Sequence, residues 1–113
     1  MSRDTVNRIC AAFPGAEWSD PWGGGHDCWK VGTRIFALTA AIRPTVAVKT
    51  DSIETAEMLI EAGIGQKADY MHRSWIALPL DADESELRHR ITASYRIIRN
   101  SLPKKVQAGL VTL

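Results

Sequence analysis

The hydrophobic positions of this chain change period several times, and each change marks an element. Val6, Ile9, Cys10 and Phe13 recur at i, i+3, i+4 and i+7. That spacing puts them on one stripe of an amphipathic helix, which Pro14-Gly15 ends. The period then drops to two. Cys28 to Val31 and Arg34 to Leu38 read as strands joined by a two-residue turn at Gly32-Thr33. In a regular hairpin, Trp29, Val31, Arg34, Phe36 and Leu38 share one face, and Cys28, Lys30, Ile35 and Ala37 share the other. The first set is bulkier and is expected to meet the helices.

Pro44 opens a further strand through about Lys49, with Val46 and Val48 on one side and Thr45, Ala47 and Lys49 on the other. Asp51-Ser52-Ile53-Glu54 predicts a capping box in which Asp51 accepts from first-turn amides. The helix it starts carries Ile53, Ala56, Leu59 and Ile60 and stops at Gly63. Residues 64–73 form a polar connection. Trp75 to Leu80 alternates again, and Pro79 suits a strand end or an edge. Asp83-Glu84-Ser85-Glu86 repeats the capping pattern before a last helix, which buries Leu87, Ile91, Ser94 or Tyr95, Ile98 and Leu102. Pro103 ends that helix, and Lys104-Lys105 follows in a short tail.

The order is α-β(3–4)-α-β(1–2)-α. Helices split among hairpin-connected strands imply an α+β fold, a two-layer sandwich of an antiparallel sheet with helices. Crossovers are too few for a parallel sheet. With 113 residues the chain suits one domain, residues 1–113.

Composition adds mainly exclusions. The chain is 45% hydrophobic and 24% charged, as globular proteins are. A net charge of +1 is too balanced for a strong nonspecific nucleic-acid binder, although local basic patches survive such a sum. Cys10 and Cys28 are two thiols rather than a disulfide framework and are expected reduced and partly buried. No apolar run approaches the ~20 residues of a membrane helix, and no signal-peptide core is present, so the cytoplasm is the expected location.

Three segments carry a family resemblance. The run Cys28-Trp29-Lys30-Val31-Gly32-Thr33-Arg34-Ile35-Phe36-Ala37-Leu38 resembles a central hairpin of the form F-K-V-G-G-K-I-F-A. Tyr70-Met71-His72-Arg73-Ser74-Trp75 is similar to a loop-to-strand segment H-M-N-K-x-H-W. Ser94-Tyr95 followed by Ser101-Leu102-Pro103-Lys104-Lys105 looks like a C-terminal helix reading S-Y then L-P-K-K. Together, in this order, they resemble the MmcQ/YjbR family across nearly the whole chain. The resemblance implies a fold similar to secretion-chaperone-like and double-wing proteins and a DNA-binding role. It brings no catalytic activity and no cofactor. Thr33-Arg34 stands where the family has Gly-Lys, and the 71–74 loop lacks the family's Asn and one basic residue.

The residues themselves argue for binding rather than catalysis. His26 and Cys28 are two apart, but no C-x-x-C or H-x-x-x-H spacing accompanies them, so no metal is expected. No G-x-S-x-G elbow is present, and Gly23-Gly24-Gly25 precedes a strand rather than a phosphate-binding helix. Asp81, Asp83, Glu84 and Glu86 suit a helix start. Trp18, Trp22 and Trp29 read as core and loop-covering residues.

Two binding surfaces remain. The first is nucleic-acid binding by Arg34 at the hairpin tip, by Lys67, His72 and Arg73 on the polar loop, and by Arg96, Arg99, Lys104 and Lys105 at the C-terminal end. The hairpin and the loop would grip phosphates as two wings. The second is a protein interface on the uncovered sheet face, for an adaptor or chaperone-like partner or a second copy of the chain. Lys30, Ile35, Lys49 and Trp75 are its candidates, with Trp75 as an exposed anchor.

Overall fold

The computed structural model describes residues 2–110. The elements run α1 (Ser2–Ala11), β1 (Ala16–Ser19), β2 (Asp27–Val31), β3 (Arg34–Thr39), β4 (Thr45–Lys49), α2 (Ile53–Glu61), β5 (Gln66–Lys67), β6 (Trp75–Pro79), α3 (Glu84–Asn100) and α4 (Lys104–Ala108). All six strands form one antiparallel sheet in the order β1-β2-β3-β4-β6-β5. The helices gather on one face, giving the two-layer α+β sandwich that the period changes predict. Among the described residues no helix is long and apolar enough to cross a membrane.

The core forms between α3 and the middle of the sheet. Leu87, Ile91, Ser94, Tyr95 and Ile98 make the buried side of α3. Tyr95 stacks on Phe13 with ring centroids 4.5 Å apart, and Phe36 meets it edge-on at 5.3 Å. Its hydroxyl donates to the Pro14 carbonyl at 2.6 Å, which ties the end of α1 to the core. Burial pushes that phenol above its ordinary pKa.

Strand β3 departs from simple alternation. Trp29 pairs with Ala37, but the next residue, Lys30, pairs with Ile35. The extra residue makes a β-bulge, which turns two consecutive side chains the same way. Phe36 and Ala37 are therefore both buried on the helix side. Beyond the bulge the phase is inverted: Leu38 faces away from the helices and Ala37 faces toward them, the reverse of the regular-hairpin expectation. The β3–β4 pairing also stops at Ala37↔Val48. The Phe36 carbonyl and the Lys49 amide that would have continued it go instead to Ser94. Its hydroxyl donates to Phe36 at 2.7 Å and accepts from Lys49 at 2.9 Å. A buried serine thus satisfies two backbone groups that the bulge sets free.

Other departures are local. The N-cap of α2 is Ser52, whose Oγ accepts from the Thr55 amide at 3.0 Å, in place of Asp51. Asp83 occupies the N-cap of α3 but makes no side-chain capping bond. The 64–73 connection contains the two residues of β5, and the C-terminal tail contains α4. Trp29 is buried as expected, whereas Trp18 and Trp22 are more than half exposed. Both cysteines are free and fully buried. Burial raises the pKa of each thiol, Cys10 far more than Cys28.

Candidate functional site

The hairpin turn uses positive φ at both central residues, Gly32 (55°) and Thr33 (76°), as a type I′ turn requires. Its tip is packed on one side. A Cβ added at Gly32 would lie 2.7 Å from the Leu102 side chain and 3.2 Å from Val106. Arg34, beside the tip, donates from Nη1 to both the carbonyl and the hydroxyl of Ser101, each at 2.8 Å. The expected free wing is thus braced by the start of the C-terminal segment.

The remaining basic candidates divide into two groups. Lys104 and Lys105 sit on α4 near that brace. Arg96 is exposed on α3, and Arg99 is half-buried beside the Tyr95 hydroxyl. Lys67, His72 and Arg73 lie on the far side of the sheet, beyond β4. They surround a hollow of about 260 Å³ lined also by Glu57, Ile60, Ala68, Met71 and Trp75. Arg73 approaches Glu57 at 3.8 Å, and His72 Nδ1 accepts from the Ser74 amide at 3.1 Å. Strand pairing sets the hairpin turn and the His72–Ser74 turn at one end of the sheet, because β3 begins where β4 ends and β6 begins. The two groups share an end but not a surface.

The expected protein interface also changes. Trp75 is 8% exposed and belongs to the core cluster, so it is not a surface anchor. Lys49 is half-buried, and its Nζ donates to the Ser74 hydroxyl. Lys30 and Ile35 do lie on the face away from the helices, both half-buried.

That open face holds a feature the charge pattern did not suggest. Leu38, Thr45, Ala47 and Ala77 floor a basin of about 300 Å³. Ala47 and Ala77 are direct cross-strand partners between β4 and β6. Their short side chains leave room that the bulky residues of the helix face would fill. Three loops wall the basin. His26 comes from the β1–β2 loop, Ala40 to Arg43 from the β3–β4 loop, and Ala68 to Tyr70 from the turn after β5. Arg43 and Asp69 close one side as an ion pair of 3.0 Å. The β1–β2 loop is fixed by Asp20, whose carboxylate accepts from the Gly25 and His26 amides at 3.0 and 3.1 Å.

Two large apolar side chains stand at this rim in full contact with solvent. Ile42 is 95% exposed and Tyr70 105%. Tyr70 also holds φ at +64°, a costly backbone region for an aromatic residue. Trp22, also exposed, touches the His26 ring edge-on with centroids 5.1 Å apart. Among the described residues no three His, Cys, Asp or Glu side chains gather as a metal site. The site therefore offers an apolar floor, an exposed apolar rim and a few charges, which suit binding an apolar group.

A family model for YjbR matches residues 11–97, from the end of α1 through most of α3. The chain belongs to the YjbR family. The YjbR match spans all six strands, so the hairpin and the open-face basin lie within it, whereas Ser101, Leu102 and Val106, which brace the hairpin, lie beyond it. The fold is shared with the crystal structure of Deinococcus radiodurans protein DR2400, described by the family-model domain DUF419. The TM-score is 0.83 at 20% identity, over 94% of this chain and 85% of that one. A search of curated proteins found no match.

Proposed function

We propose that this YjbR-family chain is a non-enzymatic binding module that takes a segment of a protein partner on the open face of its sheet. One observation carries the reading: Ile42 and Tyr70, nearly or fully exposed apolar side chains, both border the same alanine-floored basin. Side chains of that size in water are costly unless a partner covers them, and grouped at a concave site they mark an interface. The alanine floor then takes the anchor residue of the partner.

Selection from a displayed random-peptide library tests this. Peptides enriched on the wild-type protein should bind saturably and lose at least about tenfold in affinity to an Ile42→Ser/Tyr70→Asn double variant, a loss of about 1.4 kcal/mol. Asparagine tolerates the positive φ of position 70, so the variant removes the ring without straining the turn. Enriched peptides that bind the double variant equally well would refute the reading.

Weak duplex-DNA binding is a second reading, supported by the common sheet end shared by Arg34, Lys104, Lys105, His72 and Arg73. The packed hairpin tip, the internal partners of Arg34 and Arg73 and the balanced net charge weigh against it. Titration into labelled duplex at about 50 and 200 mM salt decides: a steep loss of affinity, flattened by Lys104→Glu/Lys105→Glu, supports it. No binding at the lower salt removes it.

A further inference from the structure

The two hollows meet at two adjacent residues. The basin of about 300 Å³ and the hollow of about 260 Å³ share Lys67 and Ala68 as a common wall. Neither is larger than the low end of the range for small-molecule pockets, about 300–1,000 Å³, so each suits one bulky side chain better than a whole cofactor. The floor of the first is Leu38, Thr45, Ala47 and Ala77, and the second is lined in part by Ile60 and Met71.

The charges around the pair are unequal. Asp69 is matched by Arg43 and Glu57 by Arg73. Lys67 makes no ion pair among the described residues, and it is exposed on the ridge between the hollows. An occupant lying across both would pass over an uncompensated ammonium group, which favours a carboxylate at that point. The Trp75 indole is too buried to stack a nucleobase.

Resting on the binding reading above, we propose that the bound segment is acidic and two-pronged. It carries two bulky apolar residues, one for each hollow, with an aspartate or glutamate between them over Lys67.

Fluorescence anisotropy with labelled decapeptides tests this. Each peptide carries Leu and Phe two to four residues apart, with Asp, Asn or Lys between them and Gly/Ser flanks. The Asp peptide should bind roughly fivefold tighter than the Asn peptide, the Lys peptide should be weakest, and Lys67→Glu should invert the order. Equal affinities in the wild type, or an unchanged order in Lys67→Glu, would overturn the acidic element. In that case loss of all three peptides in Ile42→Ser/Tyr70→Asn would still leave the basin as the binding site. Undiminished binding to the double variant would sink the basin itself. Absence of saturable binding by every peptide up to about 1 mM overturns the proposal. So does preferential binding of labelled oligothymidylate, or dimerisation of the protein that Tyr70→Asn abolishes.

Discussion

The two faces of the sheet are built from the same strands and put to opposite use. The helix face spends its large residues, Val31, Phe36, Val46, Val48, Ile76 and Leu78, on contact with the helices and leaves none of them exposed. The open face puts alanines at the matching positions of β4 and β6 and leaves its walls to loops. One face is finished as a core. The other is left concave, with Ile42 and Tyr70 unsatisfied at its edge. A polar face would have been enough for solubility, so an apolar concavity points to an occupant rather than to solvent.

That contrast predicts a hierarchy of effects. The largest belongs to the helix face: Phe36→Ala should cost about 3–5 kcal/mol, read as a fall in the urea midpoint. A loss under about 1 kcal/mol would mean that the bulge does not hold the core as described. Next comes Asp27, where α1 meets the sheet. Burial raises its pKa, but hydrogen bonds from Arg3 (2.6 Å), Trp18 (2.8 Å) and Asn7 (3.1 Å) outweigh burial and hold it below the ordinary value. A depressed carboxylate stabilises the fold fully above its unfolded pKa, about 3.9, and loses that contribution as pH falls through the lower folded value. Asp27→Asn should therefore cost roughly 1–3 kcal/mol at pH 7. The gap from wild type should hold down to about pH 4 and narrow below it in pH-dependent thermal melts.

The hairpin turn offers a smaller effect of opposite sign. Thr33 is β-branched at φ 76°, so Thr33→Gly should relieve strain and stabilise by about 0.5–1 kcal/mol, raising Tm by a few degrees. A fall in Tm would show that the threonine is held there by contacts worth more than the strain. The smallest effect belongs to the rim. Ile42→Ser should change stability by no more than about 0.5 kcal/mol while weakening peptide binding. A large destabilisation would make Ile42 part of the core and erase the contrast between the faces.

Most of the fold was legible because its signals are local. The stripe Val6, Ile9, Cys10, Phe13 and the face Leu87, Ile91, Tyr95, Ile98 each announce a helix without reference to the rest of the chain. The turn at Gly32-Thr33 is equally local. What escaped depends on pairing. A bulge shifts one strand against its neighbour, and nothing in Ile35-Phe36-Ala37 marks it, so simple alternation puts Leu38 on the core side. β5 is two residues long and exists only because β6 is there to receive it. Among the functional candidates, positive charge and tryptophan are the conspicuous sequence signals, but Arg34 is braced by Ser101 and Trp75 is buried. The basin was written in small residues instead. Val46-Ala47-Val48 and Ile76-Ala77-Leu78 each set an alanine between bulky neighbours, a pattern that reads as a site only once the two strands are paired.

The brevity of β5 limits how copies of this protein can meet. A sheet normally risks growth at its margins, where unpaired backbone groups template another strand. Here one margin offers two residues, Gln66 and Lys67, one of them charged, too little for a further strand to zip onto. At that side the sheet is closed to polymerisation by extension, and association is steered away from the fibrous route and toward surfaces that side chains, not backbone, define.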